Sequence, residues 1–277
     1  SSPGAAVVVV SPVSGSSLPQ AAVSSPRAAR PATALNLRTM LATAVEPVEV
    51  VARYAAEHIA YATEQGFPHW ATLGGVLQGW ALARQGQPAR GGEEITQGLV
   101  AWRDTGMSLG QTYILWLLAD AYGRNGQEEE GLHILAKALA LAEDTGEYFT
   151  LAELYRLQGE LTLQTASQKS KRKSQKSKRE TAPQSAAEAC FLKAIEIAQQ
   201  QQAKSLELRA AVSLARLWHQ EGKSTAARQV LEPLYAWFTE GFATDDLRAA
   251  KSVLDMLKVS SLDQGRRKGR MGERENG

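Results

Sequence analysis

Apolar positions in this chain recur at helical spacing, and they do so in blocks that repeat. Ile95, Leu99 and Trp102 stand at i, i+4 and i+7, on one face of an α-helix. The triplet returns as Leu135, Leu139, Ala142, then as Phe191, Ile195, Ala198, then as Leu231, Tyr235, Phe238, in steps of 40, 56 and 40 residues. Turn signals keep the same beat. TEQG ends at Gly66, RDTG at Gly106 and EDTG at Gly146, while QGQ, NGQ and EGK centre on Gly86, Gly126 and Gly222. Glycine suits these places because a left-handed residue after a helix end strains any Cβ. Small residues at Gly79, Ala119, Gly159 and Ala215 mark where neighbouring helices approach closely.

A fixed period of this size with two helical segments per unit predicts a helical solenoid. The paired helices are expected over 69–85 with 90–104, 109–124 with 128–144, 150–164 with 185–202, and 205–220 with 224–239. A half unit from Glu49 to Gln65 begins the stack. The segment 244–258 closes it, with Asp245 and Asp246 in a first turn where the helix dipole favours acids. The expected fold is therefore all-α, a helical solenoid of about four helix pairs spanning 47–258 and held by nearest-neighbour stacking. The helix pairs resemble tetratricopeptide repeats, and the resemblance implies a right-handed, tetratricopeptide-like superhelix.

Charge changes this picture in one place. The 56-residue interval exceeds the others where QKSKRKSQKSKRE, 168–180, lies between the two helices of the third pair. Its basic residues Lys169, Lys171, Arg172, Lys173, Lys176, Lys178 and Arg179 are the candidate contact for an anionic partner. The run is read as a basic loop insertion over 165–184, since surface turns tolerate added length at little entropic cost. It lacks the aromatic residues on which single-stranded nucleic acid stacks. The net charge of +2 hides this asymmetry, because basic groups also dominate 1–45 and the tail, leaving an acidic repeat body. Residues 1–46, rich in Ala, Ser, Pro and Val, and the basic tail 259–277 are expected to be disordered.

Candidate chemistry is sparse. GMSLG, 106–110, fits a nucleophile elbow at Ser108, but that motif requires a preceding strand, and Gly106 is the periodic inter-repeat glycine. GKST, 222–225, resembles the end of a phosphate loop, yet the required earlier glycine is Leu217. His58, His69, His133 and His219 show no metal-ligand spacing, and Glu128, Glu129 and Glu130 suit a helix start. Cys190, the single cysteine, reads as a small packing residue, and Trp102 and Trp237 read as core. No catalytic residue, metal site or cofactor is expected. The longest apolar runs fall far short of the roughly 18 residues a membrane span needs, and no secretory signal pattern opens the chain. A soluble cytoplasmic protein is the expectation. The missing initiator Met leaves two readings open, a fragment of a larger protein or an internal start at Met40.

Several phrases carry a closer likeness. ATEQGFPHW (62–70), GLVAWRDTG (98–106), LLADAYGRNGQEEEGL (117–132), AELYRLQGELTLQ (152–164), the stretch 187–218 and YAWFTEGFATDDLRAAKSVL (235–254) resemble the C-terminal repeat region of large bacterial proteins. Those proteins join an adenylate/guanylate cyclase domain and a predicted ATPase domain to tetratricopeptide-like repeats. The resemblance covers about 47–258 and brings no catalytic residues with it. It implies a non-catalytic protein–protein interaction domain, the regulatory or sensory part of a bacterial signalling protein, with a protein or peptide partner and the ATPase and cyclase modules of the same polypeptide as candidates. A free-standing adaptor whose basic loop touches nucleic acid or another anion is the alternative. In the tetratricopeptide register the first helix of each pair lines the concave surface. There it places Trp80, Tyr113, Trp116, Asp120, Arg156, Glu160, Arg209 and Arg216 as the candidate partner groove.

Overall fold

The computed structural model of the chain describes Thr43, residues 46–172 and residues 182–259. Most of the 1–46 segment, the tail beyond Val259, and Lys173, Lys176, Lys178 and Arg179 of the basic run lie outside the described residues. Helix α1 (Val48–Glu64) is the expected half unit. Four pairs follow: α2 (Pro68–Arg84) with α3 (Pro88–Asp104), α4 (Gln111–Arg124) with α5 (Glu128–Thr145), α6 (Leu151–Arg172) with α7 (Ala182–Gln200), and α8 (Lys204–Gln220) with α9 (Ser224–Trp237). Helix α10 covers 245–259 and closes the stack. No strand occurs among the described residues.

Local chemistry sets most helix ends. Pro68 and Pro88 open α2 and α3, where their missing N–H is no loss. Several helices close through one pattern, in which the N–H after the turn residue reaches back five residues: Gln87 to the Leu82 carbonyl at 3.0 Å, Gln127 to Tyr122 at 3.0 Å, Lys223 to Trp218 at 2.7 Å. The turn after α7 makes the same bond, Ala203 to Ala198 at 2.9 Å, but its left-handed residue is Gln202, with φ 54°. A residue with a Cβ is held there at a cost of roughly 1 kcal/mol. Gln202→Gly is expected to raise stability by about 0.5–1 kcal/mol, read as a melting midpoint about 1–4 °C higher. A lower midpoint would contradict this account of the turn.

The third pair departs from the expected boundaries. Helix α6 runs on to Arg172, through the first part of the stretch expected to loop out, and α7 starts at Ala182. The reason is local. Gly86 and Gly126 end the corresponding helices, but the matching position 40 residues on is Ala166, which continues a helix without strain. The extension then finds partners on α5: Gln168 Nε2 donates to Glu128 Oε1 at 2.6 Å, and Lys169 pairs with Glu129 at 3.0 Å. Lys169 is therefore a helical residue with a partner, and Lys171 and Arg172 lie on helical backbone.

Packing follows the triplets. Ile95, Leu135, Phe191 and Leu231 are fully buried, each the lead residue of its repeat. Their partners are the small residues of the preceding helix. A Cβ on Gly79 would lie 3.0 Å from Ile95, and one on Gly159 would lie 2.5 Å from the Phe191 ring. Trp102 is buried and donates its indole N–H to the Leu109 carbonyl at 3.0 Å. Trp237, expected in the core, is 53% exposed instead, because six residues after Leu231 it stands off the face of α9 that carries Ser224, Ala227 and Leu231 into the core. One join was not foreseen. Glu147, from the turn after α5, accepts from the Gly110 and Thr112 N–H groups and from Thr112 Oγ1 at 2.7 Å, capping α4 from the next repeat.

His58 is the outlier of the packing. It is 1% exposed on α1, and neither ring nitrogen has a hydrogen-bond partner among the described residues. Burial lowers its pKa from 6.5 to about 4. The folded chain therefore resists a proton that the unfolded chain accepts, so His58 destabilises the fold as pH drops from 6.5 towards 4 and has no effect above that window. We expect about 2 kcal/mol of acid-induced loss from this residue. His58→Leu should remove that loss, measured as a smaller difference between denaturant midpoints at pH 7 and pH 4.5.

Candidate partner groove on the inner helix layer

Which layer lies inside follows from the contacts. Consecutive first helices, α2 with α4, α4 with α6 and α6 with α8, pack on one another, whereas consecutive second helices make no comparable contact. The first helices therefore form the inner layer of the curved stack, as in other helical-repeat solenoids. The expected groove residues lie on that layer, and the structure ties four of the eight, Asp120, Arg156, Glu160 and Arg209, into ion pairs.

Two linked clusters result. In the first, Asp120 accepts the Trp80 indole N–H at 3.1 Å and Arg124 Nε at 3.1 Å, and lies 3.7 Å from Arg84. The Arg84 guanidinium also sits 5.0 Å from the centroid of the Trp80 ring. In the second, Arg156 donates to both oxygens of Glu153 at 2.9 Å and pairs with Glu160 at 2.7 Å. Glu160 also accepts from Ser213 at 2.8 Å. Arg209 bridges onward, with Nη1 3.3 Å from Glu153 and Nε 2.9 Å from each Asp246 oxygen. Asp246 belongs to the first turn of α10, so the last helix reaches into the groove.

The electrostatics match this geometry. Burial works against the Glu153 carboxylate, yet Arg156 and Arg209 hold its pKa below the usual range. Burial likewise opposes the Arg156 and Arg209 cations, and their carboxylate partners hold both pKa values up. Arg84 differs. Burial lowers its pKa, Asp120 opposes the shift, and Arg124, Arg209 and Arg156 add to it. Asp246 is raised by burial, with Arg209 opposing.

Trp80, Tyr113 and Trp116, expected on the open face of the groove, are all buried and not displayed. The Tyr113 hydroxyl lies 2.9 Å from Thr43 Oγ1, and the ring stacks at 6.4 Å on Phe149, which is 48% exposed. Trp116 Nε1 is buried and meets no acceptor among the described residues. Arg216 is exposed, two turns along α8 from Arg209. Thr43, Glu46, Val48, Trp80, Arg84, Arg209, Asp245 and Asp246 together line a cleft of only about 50 Å³. That volume holds a few waters and no peptide. Own-chain residues from both sides of the repeat array fill the groove.

Sequence reasoning missed Arg84, Arg124, Glu153, Asp246 and Thr43. Three of these were within reach: Arg84 and Arg124 stand i+4 from Trp80 and Asp120, and Glu153 stands i−3 from Arg156. Asp246 and Thr43 arrive from outside the first-helix layer and carry no local signal. The tempting motifs resolve as turns. Ser108 is exposed in the loop after helix α3, and Ser224 begins α9 with His219 Nδ1 3.2 Å away. Burial raises the Cys190 pKa, and its sulfur lies 3.6 Å from Gln158 Oε1. Among the described residues no group of three or more His, Cys, Asp or Glu could hold a metal ion. No helix among them is long and apolar enough to cross a membrane.

No protein-family model and no curated protein matches the sequence. Solved structures do match in fold. The crystal structure of BtubC (BKLC) from P. vanneervenii aligns with 79% of this chain and 92% of its own, at 13% identity and a TM-score of 0.54. Two crystal structures of a Podosopora anserina putative kinesin light chain with nearly identical TPR-like repeats align with 75% of this chain and 92% and 93% of theirs, at 16% identity. Their TM-scores are 0.46 and 0.45. At 13% identity the likeness to BtubC is one of fold alone. With the helix pairing described above, the chain is an all-α, tetratricopeptide-like solenoid.

Proposed function

We propose that this chain is a non-catalytic protein–protein interaction domain whose inner helix layer receives a protein or peptide partner. The observation that supports it best is the belt of Trp80, Asp120, Arg156, Glu160 and Arg209 running across successive first helices on the inner side of one curved array. Solenoids present such inner surfaces to extended partners. The finer reading is that the domain is the regulatory part of a bacterial signalling protein carrying ATPase and nucleotide cyclase modules, resting on the phrases between residues 62 and 254.

Two experiments separate these levels. A photo-crosslinking amino acid placed at the exposed inner-layer Arg216 should give a discrete protein adduct in cells, and the same group at the exposed Glu232 of α9 should not. Equal adducts at both positions would remove the inner-layer assignment. An immunoblot of the source cells with an antibody against the repeats should show a band well above 29.9 kDa. A band at that size would remove the multidomain reading and leave a free-standing adaptor.

A further inference from the structure

Thr43, in the stretch that leads into α1, does not lie where the repeat would put it. Shifting α2 back by the 40-residue period sets residue 43 at the place of Ala83, which packs on α3 at Gly91. A first helix in that register would turn Thr43 towards Val51 of α1. Thr43 is instead 5% exposed with its Oγ1 2.9 Å from the Tyr113 hydroxyl, so it reaches past α2 to α4. It also shares the small cleft with Trp80 and Arg84 of α2 on one side and with Arg209 and Asp246 of α8 and α10 on the other. Thr43 therefore lies inside the curve of the stack.

The local chain suits this placement. Pro47 is extended, with ψ 147°, and the residue before a proline disfavours helix, so no helix runs from Thr43 into α1. Glu46 lines the same cleft, where its carboxylate and those of Asp245 and Asp246 share the space with the Arg84 and Arg209 cations. The backbone at Thr43 is helical. Around it, Leu37, Met40, Leu41 and Ala44 stand at i, i+3, i+4 and i+7, the spacing of one helix face, in a stretch whose composition otherwise argues for disorder. Aromatic surface begins at the Thr43 contact, since the Tyr113 ring lies 5.7 Å from that of Trp116 on the inner layer.

Resting on the inner-layer reading proposed above, we infer that residues 35–45 are the groove's own occupant, an amphipathic segment whose Leu37, Met40 and Leu41 seat on the inner layer and exclude a partner until they are displaced. The contact is autoinhibitory. Few residues separate Thr43 from Val48, so the tethered segment acts at an effective concentration of about millimolar, against which a free peptide at far lower concentration competes poorly.

The test uses the full chain and a fluorescein-labelled peptide of residues 33–46, read by fluorescence anisotropy. The chain carrying Leu37→Ser, Met40→Ser and Leu41→Ser is expected to bind this peptide at least about tenfold more tightly than the parent, because its own segment no longer holds the groove. A peptide with the same three serines should bind neither chain. Equal affinity of the two chains for the native peptide, binding to neither, or equal binding of the serine peptide overturns the inference. Limited trypsin digestion gives a readout on the unaltered protein. Cleavage after Arg38 should be about tenfold slower than cleavage after Arg27, and the three serines should remove that protection. Equal cleavage at the two sites in the parent, or protection that survives the serines, overturns the inference. Failure here with a discrete adduct at Arg216 removes the internal occupant and leaves the inner-layer reading, whereas the peptide gain without that adduct does the reverse.

Discussion

Glu153→Ala is expected to cost about 3 kcal/mol or more of folding stability, because it strands two guanidinium groups that burial already disfavours. Arg156 and Arg209 are 15% and 18% exposed at their side chains, and Glu153 is the one acid that both contact. Each retains a second acid, Glu160 for Arg156 and Asp246 for Arg209, which keeps the loss near the lower end for a broken buried pair. Glu153→Gln should cost less, since one side-chain acceptor survives. Thermal unfolding of both variants, with a double-mutant cycle against Arg209→Met, checks this. A coupling of about 1 kcal/mol or more is expected for groups sharing one network, and a coupling near zero would show that Arg209 draws no stability from Glu153. Acid should expose the same contact. The Glu153 pKa is lowered in the fold, so its contribution is present above the ordinary carboxylate range and is lost as pH falls through the depressed value.

Gly91→Ala and Gly92→Ala, one residue apart on the same helix, are expected to move stability in opposite directions. A Cβ at position 91 would fall 2.3 Å from the Gly79 carbonyl oxygen and 2.7 Å from the Ala83 nitrogen. Both obstacles are backbone of helix α2, which cannot swing aside as a side-chain end can. Overpacking of this kind costs about 3 kcal/mol, and the better helix propensity of alanine returns about 1, for a net loss of about 2 kcal/mol. At position 92 a Cβ meets nothing within 4 Å, so only the propensity acts and the variant gains about 0.5–1 kcal/mol. Melting midpoints about 4–8 °C below and about 1–4 °C above the parent express these values. Equal shifts of the same sign would mean that α2 and α3 are not locked at this crossing.

These variants show which parts of the molecule can be read locally. Gly91 lies on no motif, and its intolerance follows only from the α2–α3 crossing, whereas Gly86 and Gly126 declare themselves as turn residues at the 40-residue beat. Helix ends were legible for the same reason, since a left-handed residue, a proline at a helix start and a run of apolar i, i+4, i+7 positions act over a few residues of chain. The extended α6 was legible too, in principle, through Ala166 standing where a glycine would stop the helix.

The groove divides along the same line. The sequence alone placed Trp80, Tyr113, Trp116, Asp120, Arg156, Glu160, Arg209 and Arg216 on one layer, because the period assigns each to a first helix. Whether that layer is open or filled depends on distances between residues up to 70 apart, such as Thr43 with Tyr113, and 37 apart, Arg209 with Asp246. Periodicity carries no term for such contacts. Charge burial at Glu153 and Arg156, the buried ring of His58 and the capping of α4 by Glu147 belong to the same group. The chain's local pattern determined that it forms stacked helix pairs and where most of them begin and end, the third pair excepted. Only the curvature of the stack, which brings α2, α8 and α10 around one narrow cleft, decided that the inner face is occupied by the protein's own charges.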